Sequence, residues 1–215
     1  MLKEKHILII VENLPLPFDR RVWQQANTLK ENGAKVSIIC PKAKGYTKKY
    51  ECINGIEIYR HPMPEEGKGA LGYIVEYTVA LFWEFVLSIK IFAKKKFQVI
   101  QGCNPPDLIF IIAIFYKIFG VKYVFDHHDI NPELFISKFN NKGFFYKSLL
   151  TAERLTFLTA NYSIATNESY KEIAIKRGKM PESKVQVIRS GPKLDRLKLG
   201  SGNTKYKKGR SFLIG

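Results

Sequence analysis

The run Asp126-His127-His128-Asp129 holds the densest chemistry in the chain: two imidazoles flanked by two carboxylates, directly after a short apolar stretch. A histidine beside a carboxylate can act as a general base, shuttle a proton or ligate a metal. Alternatively, a buried and hydrogen-bonded histidine serves structure alone. The metal reading is the weakest, because adjacent histidines point apart and no third His or Cys stands close in sequence. His6 and His61 sit elsewhere, at a strand start and before a proline. A second group is Glu12-Asn13-Leu14-Pro15-Leu16-Pro17-Phe18-Asp19-Arg20-Arg21. Its prolines stiffen a loop, and the helix start that follows offers unpaired N–H groups to an anion, with Arg20 and Arg21 adding positive charge. The plainer reading has Asp19 capping the helix while the arginines face solvent. The third group, Gly102-Cys103-Asn104-Pro105-Pro106-Asp107, places Asn104, both donor and acceptor, in a turn fixed by two prolines. On chemistry alone a rigid turn without a ligand is the favoured reading.

These groups need a scaffold, and the chain alternates strand and helix signals. Ile7–Val11 reads as a buried strand, and Asp19 caps a helix through Trp23 and Leu29 to Asn32, stopped by Gly33. Lys35–Cys40 is a second strand, and Asn54-Gly55 marks a tight turn between Tyr50–Ile53 and Ile56–Arg60. Further strands are expected at Phe97–Gln101, Tyr123–Asp126, Tyr162–Thr166 and Val185–Ile188. Helices are expected at Ala70–Ala93, from Pro105-Pro106-Asp107 through Phe119, and at Phe144–Thr159 and Glu168–Arg177. Such alternation predicts an α/β fold, a mainly parallel sheet with helices on both faces. In that architecture ligands gather at the carboxyl ends of strands, where all three groups fall.

The chain has 215 residues, 46% of them hydrophobic, enough for a sizeable core, with a formal net charge of +16 that attracts phosphates. Thirteen basic and three acidic residues lie between Lys171 and Arg210, so most of that excess belongs to the last fifth. Cys40, Cys52 and Cys103 are odd in number and irregularly spaced, which excludes a disulfide scaffold or a CxxC metal site and suits a reducing cytoplasm. The start runs from Met1 straight into a strand without a secretory signal. No GxGxxG follows the first strand, and GxxxxGK[ST], GxSxG and HExxH are absent, which argues against a nicotinamide dehydrogenase, a P-loop NTPase, an α/β-hydrolase and a zincin.

The most apolar helix, Tyr73–Ala93, is long enough to span a bilayer but contains Glu76, Glu84 and Lys90. A charge near the bilayer centre costs about 2.5–3.5 kcal/mol on insertion scales. Glu76, Glu84 and Ser88 form one narrow polar stripe on this helix. It reads either as a largely buried core helix or, followed by Lys94-Lys95-Lys96, as one resting on an anionic membrane.

Taken in order, VENLPLPFDRRVWQQANTLKENGAKVSIICP (Val11–Pro41), FQVIQGCNPPDLIF (Phe97–Phe110), YVFDHHDINPELF (Tyr123–Phe135), ATNESYKEIAIKRG (Ala165–Gly178) and VQVIRSGP (Val185–Pro192) resemble the N-terminal half of a family 4 glycosyltransferase of the two-domain GT-B type. The resemblance implies a Rossmann-like acceptor-binding domain over 1–192, a basic interdomain linker over 193–211, and at 212–215 the start of a truncated donor-binding domain. It implies retaining transfer from a nucleotide-sugar to a lipid-linked or polysaccharide acceptor, with no metal cofactor, at the inner face of the cell membrane. Without the donor domain, the chain alone is expected to be inactive. On this resemblance His128 and Asp129 are the catalytic pair. Glu12, Asn13, Pro17, Phe18, Asp19, Arg20, Asn104, His127, Asn167 and Glu168 line the substrate cleft. The alternative is a non-catalytic membrane-associated subunit that pairs with a separate donor-domain chain. Nucleic acid is not an expected partner, since no helix-turn-helix, RRM or zinc-finger pattern occurs and the charge concentrates in a linker-like tail.

Overall fold

The computed structural model describes residues 2–63 and 69–191, together with 208, 209 and 211. The expected linker over 193–211 and domain start at 212–215 lie, but for those three positions, outside the described residues. The same holds for the side chains at the start of the long helix.

Among the described residues eight strands form one sheet: β1 His6–Val11, β2 Lys35–Pro41, β3 Tyr50–Ile53, β4 Ile56–His61, β5 Val99–Cys103, β6 Lys122–His127, β7 Tyr162–Ala165 and β8 Val185–Val187. Their order across the sheet is β3-β4-β2-β1-β5-β6-β7-β8, and every pair is parallel except the β3–β4 hairpin at one edge. Among the described residues six α-helices accompany them: α1 Arg20–Glu31, α2 Gly69–Lys94, α3 Phe110–Lys117, α4 Asn131–Phe139, α5 Phe144–Thr159 and α6 Glu168–Lys176. The expected α/β class, with its mainly parallel sheet, is what the chain adopts.

Side-chain alternation along the strands divides the core in two. Ile7, Ile9 and Val11 of β1 face α1, packing with Val22 and Ala26. Leu8 and Ile10 face the other way, into a larger cluster with Ile91 of α2, Phe110 and Tyr116 of α3, and Phe157 of α5. This alternation sets the chemistry at the sheet edge. Asp126 points to the α1 side, while Phe125 and His127 point to the α2 side. At Gly102 the sheet packs too closely for any side chain: a Cβ would lie 2.8 Å from Ile109 and 2.9 Å from the Tyr123 hydroxyl.

Three expectations need correction. The strand expected at Phe97–Gln101 is β5 at Val99–Cys103, displaced because Phe97 is spent on the core beside Phe92 and Tyr116. The helix expected from Pro105 begins only at Phe110, because the side chains of Asn104 and Asp107 tie the intervening turn to neighbouring loops. Helix α4 was not expected at all; Pro132 in its first turn starts it immediately after the histidine pair. No helix among the described residues is long and apolar enough to cross a membrane.

Candidate functional site

The loops that follow β1, β5, β6 and β7 lie side by side at the carboxyl edge, since those strands are neighbours in that order. Crossovers run in opposite directions on either side of β1, which makes this edge the switch point where α/β sheets open a crevice. The sheet order thus brings together the loops that carry the expected site residues.

At its centre is the Asp126 carboxylate, fully buried at the end of β6. Its Oδ1 accepts from Arg21 Nη2 at 2.9 Å, and its Oδ2 from Gln25 Nε2 at 2.6 Å and Gln101 Nε2 at 3.0 Å. Burial alone would favour the neutral acid. The hydrogen bonds and positive charge around it, from His128 and Arg21, win and hold its pKa below the usual aspartate value.

His128 stands on this base. Its Nε2 lies 3.0 Å from both Arg21 Nε and Asp126 Oδ2. One ring nitrogen cannot serve both at once: a bare Nε2 accepts from the guanidinium, and a protonated Nε2 donates to the carboxylate. The ring is held in one place in either state. Nδ1 has no protein partner among the described residues.

Asn104 fixes the backbone of the same loop. Its Oδ1 accepts from His128 N at 2.6 Å and from Asp129 N at 3.2 Å, while its Nδ2 donates to the Asp129 carbonyl at 2.6 Å and to Asp107 Oδ1 at 2.9 Å. Asp107 Oδ2 in turn accepts from Asn131 Nδ2 at 2.6 Å. Complete burial of Asp107 outweighs these bonds and raises its pKa to about 7. Asp129 is half-buried, and burial raises its carboxyl above the ordinary value against the pull of His128.

His127 takes the other side of the sheet. It is fully buried, stacked on Phe125 at 5.2 Å and bounded by Phe157 at 5.4 Å and Tyr170 at 4.9 Å. Both its ring nitrogens lack a hydrogen-bond partner, and burial drives its pKa down to about 3. It stays neutral in an aromatic box rather than opening on the edge.

In the first loop, Asn13 is exposed, as are Phe18 and Arg20, while Pro17 is half-buried. Asp19 caps α1, its Oδ1 accepting from Val22 N at 3.0 Å. Glu12 is buried on the α2 side with neither carboxylate oxygen partnered, near Glu84 of α2. Burial and the neighbouring glutamates raise its pKa to about 10. Asn167 caps α6 by accepting from Tyr170 N at 3.0 Å, and Glu168 is exposed at the first position of that helix.

Sequence reasoning chose Arg20 over Arg21, but Arg21 is the residue in the network. Gln25 and Gln101 were missed. A signal for Gln25 was present, since Arg21 and Gln25 stand one helical turn apart on one face. Arg21 Nη1 also reaches the Ile188 carbonyl at 3.0 Å and Ser190 Oγ at 3.1 Å, joining α1 to the segment after β8.

Among the described residues, Cys103, Asp126 and His128 bring potential metal-ligating atoms within 4.8 Å of one another. The Arg21 guanidinium already neutralises this carboxylate, and burial holds the Cys103 thiol well above its usual pKa, so that it stays protonated. Metals bind thiolates, and the trio is a poor ligand set.

A family model described as Glycosyltransferase Family 4 matches residues 19–196. The chain belongs to glycosyltransferase family 4. Solved structures similar to it include sucrose-phosphate synthase from Thermosynechococcus elongatus, at 15% identity and TM-score 0.64, over 89% of this chain and 49% of that one. The catalytic domain of starch synthase IV from Arabidopsis thaliana, bound to ADP and acarbose, aligns at 12% identity and TM-score 0.60, over 90% and 52%. UDP-GlcNAc 2-epimerase from Methanocaldococcus jannaschii aligns at 15% identity and TM-score 0.52, over 85% and 45%. At these identities the likeness concerns the fold, that of a Rossmann-like half of a GT-B structure. The chain spans about half the length of these structures. No curated protein sequence matches it.

Proposed function

We propose that this family 4 domain is the acceptor side of a retaining glycosyltransferase, which transfers sugar from a nucleotide-sugar to a lipid-linked or polysaccharide acceptor. The donor pocket belongs to a second domain, so the chain alone is inactive, and no metal cofactor takes part. The observation that carries this reading is His128. Its ring is fixed from below by Asp126 and Arg21, its backbone is pinned by Asn104, and one ring nitrogen is left over at the switch-point edge. A group held in this way can donate to, or accept from, a sugar or acceptor hydroxyl without reorganising, which is how preorganised polar sites favour a charged transition state. In this reading Asp129, Asn13, Phe18, Arg20 and Glu168 offer the accessible contacts, while Asp126 and Arg21 position His128.

Attachment to an anionic membrane surface, on the inner face of the cell membrane, belongs to the same proposal. It is supported by the outer faces of α2, α3 and α5. Phe82 of α2, Ile114 of α3, Ile118 and Phe119 just after it, and Leu158 of α5 are exposed, and Lys94, Lys95, Lys96 and Lys117 stand at the C-terminal ends of α2 and α3. The membrane part is tested with vesicles: binding should rise with anionic lipid and fall with salt, and equal binding to neutral vesicles would remove the electrostatic component. The catalytic part is tested by His128→Ala in a protein carrying its donor domain, which should lower turnover at least about tenfold.

A further inference from the structure

A groove of about 960 Å³ runs between the β3–β4 hairpin and the C-terminal half of α2. Its walls are Trp83, Tyr50 and Tyr59 with Leu87 and Ile91, and its rim carries Lys42, Lys49, Lys90 and Lys94. Among the described residues none of these four lysines makes an ion pair, and Glu57, the one described acid in the lining, is already held by Lys95 at 2.8 Å. The groove is therefore strongly cationic with aromatic walls, a combination suited to an anionic group on an organic body.

A second observation narrows the ligand. One polar side chain in the lining, His61 at 1% exposure, keeps a buried nitrogen without a partner, Nε2. Its Nδ1 faces the Pro62 carbonyl at 3.0 Å, and since a carbonyl can only accept, the ring hydrogen sits on Nδ1 and Nε2 keeps a lone pair. A buried acceptor left unpaired is costly, so the groove favours a ligand that accepts from the lysines and donates to His61. Sulfates and phosphodiesters only accept. A phosphate monoester, with its second pKa near 6, accepts on two or three oxygens and near neutrality still carries a P–O–H part of the time.

We propose that this groove binds a phosphate monoester, its oxygens taking hydrogen bonds from the rim lysines, its P–O–H donating to His61 Nε2, and its organic body lying against Trp83 and Tyr50. The ester is carried either by a soluble molecule or by a lipid headgroup. The test titrates the full chain near neutral pH with inorganic phosphate and with sulfate, then with vesicles containing phosphatidic acid or phosphatidylglycerol. Phosphate should bind at least about tenfold more tightly than sulfate, and Lys90→Glu with Lys94→Glu should weaken phosphate by a similar factor without moving the melting temperature, since both lysines are exposed. His61→Phe should erase the preference for phosphate over sulfate. Should that variant not fold, the imidazole nitrogen resonances of the parent give the same information, with Nε2 shifting on addition of phosphate and not of sulfate. If inorganic phosphate displaces the chain from phosphatidic acid vesicles, the ligand is a headgroup; if phosphate binds but vesicle binding is not displaced, the ligand is soluble. Both results support the site. Absent phosphate binding, equal affinity for sulfate, unchanged affinity in the lysine variant, or displacement from phosphatidylglycerol as readily as from phosphatidic acid would each overturn it.

Discussion

Asp126 and Glu12 are both buried carboxyls at the carboxyl edge of one sheet, yet the two faces treat them in opposite ways. On the α1 face Asp126 meets a guanidinium and two amide donors, and its pKa falls. On the α2 face Glu12 meets only burial and other glutamates; its pKa climbs to about 10, and that of Glu84 to about 8. The same functional group is a charged anchor in one place and a neutral acid in the other. What decides between them is the helix that covers each face. Helix α1 presents Arg21 and Gln25 inward, whereas α2 presents Glu84 and Ser88.

The comparison is broken most severely by Arg21→Ala, which leaves the Asp126 carboxylate buried without its cation. Losing one partner of a buried pair costs about 3–5 kcal/mol, to be read as a fall in the denaturant midpoint. Replacing the pair with apolar residues, Arg21→Met with Asp126→Leu, should recover most of that loss. A double variant as unstable as the single one would show that the charges were not the issue.

The opposed pKa shifts also predict opposed pH dependence. For Asp126, lowered in the folded chain, the stabilisation is present above the ordinary aspartate value and is lost as pH falls through the lowered one. For Glu84 and Glu12, raised in the folded chain, it is full below the ordinary glutamate value and is lost as pH rises toward about 8 and about 10 respectively. Each such proton changes stability by up to about 1.4 kcal/mol per pH unit. Glu12→Gln with Glu84→Gln should therefore flatten the alkaline decline, so that the variant gains on the parent between pH 6 and 9. Parallel stability curves would contradict the assignment. A smaller effect is expected at the α6 cap, where Asn167→Ala should cost about 1 kcal/mol. Of similar or lesser size, Tyr116→Phe removes the 2.9 Å bond to Ser88 at about 0.5–1.5 kcal/mol.

Strand alternation and punctuation by Gly33, Asn54-Gly55 and Gly120 made the sheet readable, because buried parallel strands are continuous apolar runs whatever their neighbours. Helix α2 shows where that reading stops. Its polar stripe was visible, but not that Glu84 and Ser88 point inward while Phe82, Val86 and Ile89 face out. That inversion rests on Tyr116 from α3 meeting Ser88, and on neutralisation of Glu84, neither of which is a local property. Likewise the adjacent His127 and His128 are equivalent in composition. Their opposite fates follow from pleat parity at the end of β6, where one residue faces Phe157 and the next leaves the strand for Arg21. Helix α4 escaped notice because Asn131-Pro132-Glu133 reads as the tail of a polar cluster, when the proline is in fact a helix start.

The most direct test compares these two histidines in a protein that carries its donor domain, by measuring the rate of sugar transfer at saturating donor. His128→Ala should lower the rate at least about tenfold in a protein that still unfolds cooperatively, because the ring contributes at the open edge. His127→Phe, which fills the same aromatic box, should keep most of the rate. An unchanged rate in His128→Ala, or a loss confined to His127→Phe, would contradict that role for His128.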